Sequence, residues 1–157
     1  MKPNIGISDG DRQAVSRILA AIQADEVVLS AKTRQYHWNV MGPHFSELHR
    51  LFEEQYDAIE ETSDELAERE RALGAIAPGT LAAFLAMTRL QEQQTVPNAQ
   101  GMVTNLLQDH ETIIRQLRAD IEATGATYRD VGTSDFLTGI MEAHEKMAWM
   151  LRAHAEA

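Results

Sequence analysis

The stretch His49–Glu68, HRLFEEQYDAIEETSDELAE, decides how the rest of the chain is interpreted. An α-helix turns about 100° per residue, which places one set of polar residues on a single face: His49, Glu60, Glu53, Asp64, Asp57 and Glu68. Apolar residues gather on the opposite face, and these are Leu48, Leu51, Phe52, Ile59, Leu66 and Leu73. The pattern predicts an amphipathic helix. A solvated acidic surface is one interpretation of its polar face, since charged helix faces usually meet water.

Two pairs within this stretch favour a metal site instead. His49 with Glu53, and Asp64 with Glu68, are four residues apart, a spacing that brings side chains on neighbouring turns together. The pairs are separated by about 22 Å of helical rise, so they cannot join within one helix. Positions 49 and 68 have the same midpoint as positions 53 and 64. An antiparallel copy of the helix that crosses at this midpoint would place His49 and Glu53 of one subunit opposite Asp64 and Glu68 of the other. A two-fold axis there predicts two equivalent sites shared between subunits.

The donor types narrow the choice of metal. Imidazole and carboxylate without thiolate suit iron, manganese or zinc, and a mixed oxygen and nitrogen set with open positions suits redox-active iron in particular. Helical bundles commonly hold di-iron carboxylate sites in this way.

Composition bounds the class of protein. The 157 residues correspond to one domain over 1–157, and the chain contains no cysteine, which excludes disulfides and thiolate sites and makes the cytoplasm the expected location. No segment has the apolar core of a signal peptide or the length of a membrane span. A net charge of −10 argues against general affinity for nucleic acid and favours attraction of cations.

The remaining sequence predicts further helices and no strands. Helical periodicity covers Asp11–Val40, with Ser8 and Asp11 as a capping box, and residues 44–73 form the second helix between Gly42-Pro43 and Gly74. Thr80–Leu90 predicts a short helix in a long connection. A third long helix opens at Pro97-Asn98 and stops at Gly125, and a fourth follows Thr133 as N-cap. Four long helices with a crossover predict an all-α, ferritin-like four-helix bundle with a short extra helix.

Three histidines lie on apolar stripes of these helices. His37 is on the inward stripe of the first helix and gains a ligand role from the donors on the second. His110 and His144 lie on the third and fourth long helices, and we interpret them as core residues.

Nearly the whole chain resembles the Dps family of mini-ferritins. The resemblance rests on His37-Trp38-Asn39, on His49 with Glu53, and on Asp64-Glu65-Leu66-Ala67-Glu68-Arg69. It extends to Gly79-Thr80-Leu81 and to the C-terminal segment KMAWMLRAH, residues 146–154.

The resemblance implies a hollow dodecamer with ferroxidase sites at its two-fold interfaces. Those sites oxidise Fe(II), with hydrogen peroxide preferred to dioxygen, and ferric oxide is stored inside. Carried over to this chain, the metal ligands are His37, Asp64 and Glu68 from one subunit, with His49 and Glu53 from its two-fold partner. The family often has aspartate where this chain has Glu53.

The resemblance also assigns accessory roles. It places Trp38 beside the site, where it intercepts stray oxidising equivalents, although interface packing explains an aromatic residue equally well. Asp130 and Asp135 resemble residues that line the pores through which iron enters. Helix capping is the alternative for both.

Some members of the family bind DNA through lysine-rich tails, and this chain differs from them. Up to Arg12 its basic side chains are Lys2 and Arg12 against Asp9 and Asp11, and its end, HAEA, has no basic residue besides His154. Binding of DNA by the tail mechanism is therefore not expected. A DNA-compacting protein with secondary iron chemistry is the competing hypothesis, and a helical oligomer with a vestigial site is a third.

Overall fold

Residues 2–155 of the chain are described by a computed structural model. They form five α-helices and no strand: α1 (Asp9–Asn39), α2 (Phe45–Ala72), α3 (Leu81–Met87), α4 (Ala99–Glu122) and α5 (Val131–Ala155). A π-helical turn, Ala123–Thr127, continues α4. The predicted all-α bundle with a short helix in the crossover is confirmed. Within residues 2–155, no helix is both long and apolar enough to cross a bilayer.

Contacts between the long helices define the direction of each. Going backward along α1, His37 meets His49 and Ser30 meets Glu60, so α1 and α2 are antiparallel. Tyr36 and Lys32 likewise meet Asn105 and Asp109, so α4 is also antiparallel to α1. Helices α2 and α4 therefore run parallel, as a long crossover requires.

The helix starts follow capping chemistry. Ser8 Oγ accepts a hydrogen bond from the Asp11 amide at 3.1 Å, and Asn98 Oδ1 accepts one from the Gly101 amide at 2.9 Å. Thr80 Oγ1 does the same for the Ala83 amide at 3.2 Å. Each satisfies a backbone donor that the first turn leaves unpaired. The predicted starts of these three helices are correct to within two residues.

Asp25, in the middle of α1, fastens the crossover to the bundle. Its side chain is fully buried and accepts from Thr88 Oγ1 at 3.0 Å, from the Arg89 amide at 2.6 Å and from Arg89 Nε at 2.7 Å. Arg89 also pairs with Asp120 of α4 at 3.1 Å. These bonds draw the chain away from helical geometry at Thr88, which is why α3 ends at Met87 and not at the predicted Leu90.

The junction between α4 and α5 corrects two predictions. Gly125 does not stop the helix: it lies inside the π-helical turn, and the positive φ of 57° falls at Arg129. A Cβ at Gly125 would lie 2.9 Å from Ser134 Oγ, so glycine is needed there for close approach. Thr133 is not the N-cap either, because α5 begins at Val131 and Asp130 Oδ1 accepts from the Thr133 amide at 3.0 Å. Capping needs an acceptor three residues before the donor, and Asp130 meets that requirement.

Glu70 is the buried titratable residue of α2, and it predicts a pH effect. Its side chain is 1% exposed, Oε1 has no hydrogen-bond partner, and burial raises the pKa to about 7 from an ordinary 4.5. The folded state therefore holds a proton that the unfolded state releases, so stability is lost as pH rises from 4.5 to 7. We expect Glu70→Gln to stabilise the protein at pH 8 by about 2 kcal/mol and to change little near pH 4.5.

Thermal unfolding at the two pH values measures this effect. Glu65→Gln is the matched control, because Glu65 is exposed on the same helix and loses the same charge. An equal rise in melting temperature for Glu70→Gln at both pH values would contradict the prediction.

Candidate metal centre

His37 and His49 of one chain lie against each other at the end of α1 and the start of α2. His37 Nδ1 is 2.7 Å from the His49 carbonyl oxygen, and His49 Nδ1 is 2.9 Å from the His37 carbonyl oxygen. The rings stack with their centroids 3.7 Å apart and their planes inclined by 19°. Gly42, whose φ is 115°, allows the tight return of the chain that brings the two residues together.

This reciprocal pairing determines which nitrogen of each ring is available. A carbonyl oxygen only accepts, so both Nδ1 atoms carry the proton and donate. In a neutral ring the lone pair is then on Nε2, and within residues 2–155 neither Nε2 has a hydrogen-bond partner. Metal-ligating histidines are commonly oriented by such a bond from the second nitrogen. The geometry of the pair therefore fits two imidazole ligands whose rings are already oriented before a metal ion binds.

The carboxylates follow along the outer face of α2. Glu53 is one turn beyond His49, and Asp64 and Glu68 are three to four turns further on. All three are exposed. Within residues 2–155, no group of three or more potential ligands is close enough to hold a metal ion. A single chain therefore presents an imidazole half with Glu53 at one end of α2 and a carboxylate half at the other.

The ring contact corrects the predicted division of ligands between subunits. His37 and His49 were assigned to different subunits of one site, but side chains of one chain in ring contact belong to the same half-site. Asp64 and Glu68 cannot join His37 within the chain, because antiparallel packing carries them toward the beginning of α1. His37 therefore lies with His49, and apart from Asp64 and Glu68, on one subunit.

Aromatic and basic side chains surround the histidine pair. Phe45 stacks on His49 at 5.1 Å, Tyr56 meets the His37 ring edge-on at 5.4 Å, and Arg34 lies over the Tyr56 ring at 5.0 Å. Burial raises the pKa of Tyr56, and the neighbouring carboxylates of Glu53 and Asp57 raise it further. Sequence reasoning missed Phe45 and Tyr56, although Tyr56 is two turns from His49 and on the same face.

Two large apolar side chains near the pair are exposed on the single chain. Trp38 is 69% exposed and Met41 79% exposed. Apolar surface at this density next to a half-site is typical of a surface that another subunit covers. The interface interpretation of Trp38 therefore has structural support, and its role in intercepting oxidants stays a prediction.

The two residues predicted for the pore have different surroundings. Asp130 is 3% exposed; its Oδ1 accepts from Arg69 at 3.0 Å as well as from the Thr133 amide, and its Oδ2 accepts from Thr133 Oγ1 at 2.6 Å. These bonds show that Asp130 caps α5 and pairs with Arg69, as the alternative interpretation expected, and its place on a pore remains a prediction. Asp135 is exposed, and its place on a pore remains a prediction.

Fold and half-sites together define the class as ferritin-like four-helix bundle proteins, and a family model described as a ferritin-like domain matches residues 17–157. Within that class, the chain belongs to the Dps family. It is 38% identical to DNA protection during starvation protein 2 of Bacillus anthracis, over 88% of this chain and 94% of that protein. It is 48% identical to an uncharacterised low temperature-induced protein of Nostoc sp., over 98% of this chain and 86% of the relative.

Solved structures agree with this assignment. Dps of Vibrio cholerae, described as a member of a broad superfamily of ferritin-like diiron-carboxylate proteins, superposes with a TM-score of 0.90 at 30% identity. The match covers 97% of this chain and 95% of that one. Dps of Bacillus brevis superposes with a TM-score of 0.89 at 33% identity, over 94% of this chain and 99% of its own. Iron storage and oxidative protection are the general functions that this membership supports.

Proposed function

We propose that this protein is a ferroxidase and iron-storage protein that oxidises Fe(II) with hydrogen peroxide, or with dioxygen, at di-iron sites between subunits. The product is stored as ferric oxide inside a hollow dodecamer in the cytoplasm, which protects the cell against oxidative damage. The observation that carries the proposal is the reciprocal His37–His49 pair, whose two Nε2 atoms have no hydrogen-bond partner within the described residues, 2–155. The absence of cysteine is in keeping with a reducing compartment.

In the proposed site, His37, His49 and Glu53 of one subunit face Asp64 and Glu68 of the partner subunit. The carboxylates hold hard iron in both oxidation states, and the imidazoles complete a mixed set with open positions for the oxidant. Two bound Fe(II) ions supply the two electrons that reduce one peroxide molecule to water, so no hydroxyl radical is released. The backbone bonds to both Nδ1 atoms keep the rings oriented before iron arrives.

Mixing two inactive variants tests the corrected division of ligands. In an assembly reconstituted from His49→Ala and Asp64→Ala subunits, a mixed dimer has one site with both defects and one intact site. Random pairing restores about one quarter of the native sites. We expect the rapid-mixing rate of Fe(II) oxidation to recover to that level. Recovery requires that His49 and Asp64 of one site come from different subunits.

A second mixture is the control for His37. His37→Ala and His49→Ala subunits leave every mixed site with one defect if both histidines come from the same subunit, so no activity returns. Recovery in this mixture would contradict the corrected division. Failure of both mixtures, with assembly intact, would mean that His49 and Asp64 of one site come from the same subunit.

Compaction of DNA is the second candidate, and it is favoured by the Bacillus anthracis relative, which is named for the protection of DNA. The basic residues near the beginning of the chain do not support it. Lys2 pairs with Asp9 at 2.7 Å, and Arg12, 6% exposed, pairs with Asp9 and donates to the Leu73 carbonyl oxygen at 2.8 Å. We expect no shift of duplex DNA in a gel at physiological salt. Retention there that is lost at high salt would contradict this expectation.

A further inference from the structure

Three buried titratable side chains form a hydrogen-bonded chain through the middle of the bundle. His144 Nε2 lies 2.9 Å from Glu26 Oε1, and His144 Nδ1 lies 2.9 Å from His110 Nδ1. Glu26 and His110 are fully buried and His144 is 1% exposed. This core histidine chain connects α1, α4 and α5 and takes no part in the proposed metal centre.

Among the described residues, the polar atom at each end of the core histidine chain lacks a hydrogen-bond partner. Glu26 Oε2 and His110 Nε2 are buried and have no hydrogen-bond partner within residues 2–155. They lie at opposite ends, separated by the His144 ring, so the three side chains do not converge on one ion. A metal does not account for the cluster, and protons are the species that it can hold.

The geometry limits how many protons fit. A hydrogen bond between two Nδ1 atoms requires one of them to carry the proton and the other to present its lone pair. If both rings were imidazolium, two N–H groups would face each other across 2.9 Å, and one buried carboxylate would oppose two positive charges. The folded chain therefore accommodates one imidazolium at most.

No neighbouring carboxylate among the described residues is available to neutralise a second imidazolium, because the nearby carboxylates already have partners. Beside the chain, Asp109 is engaged with Lys32 at 2.6 Å, and Asp25 is engaged with Arg89 at 2.7 Å. On α2 the buried residues are Leu48, Leu51, Phe52, Gln55, Ile59, Leu66 and Glu70, and Glu70 is about three turns beyond Ile59. On α5 Glu145 pairs with Arg118, and on α4 Glu111 pairs with Arg152, and the side chains of both pairs are exposed. The buried residues of α3 and of the π-helical turn, Phe84 and Thr124, do not titrate in this range.

Burial, and then the neighbouring His144, lower the pKa of His110 well below its ordinary value of 6.5. Below pH 6.5, His110 binds a proton when the protein is unfolded or locally opened, but it stays neutral when the core histidine chain is intact. The stability that this difference contributes is present above pH 6.5 and is lost as pH falls. His110 therefore makes the protein less stable as pH falls, whereas Glu70 makes it less stable as pH rises.

We propose that the core histidine chain is an acid-sensitive latch, which joins α4 and α5 to α1 at neutral pH and releases them when a second proton enters. Local opening lets water reach the histidines, so mild acid loosens this half of the bundle before the fold as a whole is lost. The latch acts on the subunit itself and does not depend on the iron chemistry.

Hydrogen exchange of the assembled full-length protein from pH 7.5 to pH 5.5 tests the latch. In the native protein we expect protection of residues 106–114 and 140–148, corrected for intrinsic exchange, to fall up to about tenfold per pH unit below 6.5. His110→Asn keeps a polar group in place of Nδ1 but cannot become charged, so its protection should not follow pH in this range. His44→Asn is the matched control: His44 is exposed, so this variant should show the same pH dependence of protection as the native protein.

Two results would overturn the proposal. One is protection in the native protein that stays constant down to pH 5.5, and this requires no variant to fold. The other is the same pH dependence in His110→Asn as in the native protein. If His110→Asn does not assemble, His110→Gln replaces it, because glutamine also offers a polar group at this position and cannot become charged.

Discussion

Replacing His49 and Asp64 together with alanine is expected to lower the rate of Fe(II) oxidation by hydrogen peroxide to that of buffer. Each site of the proposed assembly then loses an imidazole from one subunit and a carboxylate from the other. Loss of a residue that only orients a metal ligand lowers metal affinity or activity about 10–100-fold. Loss of two ligands should therefore lower the oxidation rate at least about 100-fold. Rapid-mixing absorbance on size-selected oligomer measures the effect.

The control for this experiment is the double substitution Glu54→Ala and Glu65→Ala. Both residues are exposed on α2, and neither belongs to the proposed ligand set. This variant also loses surface carboxylates, so it separates ligation from a general weakening of cation attraction. Rates in the His49/Asp64 variant that match the native protein, with assembly intact, would mean that these residues form a structural polar seam.

Asp25→Ala is expected to be the most destabilising single substitution of a charged residue, at roughly 3–5 kcal/mol, because it breaks a buried ion pair from one side. The Arg89 side chain, whose Nε and guanidinium contact Asp25, would be left without this partner, as would the Arg89 amide and Thr88 Oγ1. The crossover would also lose its attachment to α1. The midpoint of urea unfolding, at constant protein concentration, measures the loss.

Two further variants show whether burial is the cause. Asp25→Asn retains an oxygen for Thr88 and the Arg89 amide, so its loss should be intermediate. Glu145→Ala removes a partner from the Arg118 pair, whose side chains are 61% and 42% exposed, and exposed pairs contribute less than about 1 kcal/mol. Equal losses for Asp25→Ala and Glu145→Ala would contradict the assignment of Asp25 as a buried clamp.

Much of the candidate site could be predicted from short-range sequence patterns. The pairs His49 with Glu53 and Asp64 with Glu68 follow from helix periodicity, since a spacing of four residues has one meaning on any α-helix. Their symmetry about one midpoint predicts a shared site before any contact is known. The role of His37 could not be derived in this way, because it depends on how α1 returns against α2 through the turn at Gly42.

Other roles depended on contacts between distant residues. Asp130 had two interpretations in the sequence, and only its bonds to Arg69 and Thr133 showed that it caps α5. His110 and His144 were correctly predicted as core residues, but their buried partner Glu26 lies 118 positions from His144. No periodicity links residues on different helices.

The sequence by itself determined the helices, the polar face of α2 and the spacing of its ligand pairs, because these properties are set by residues within two or three turns of one another. The tertiary structure alone decided which donors share a half-site, which carboxylates are buried and which histidines meet in the core. Those properties follow from the packing of four helices, where one side chain's partner is set by the path of the whole chain and not by its neighbours in sequence.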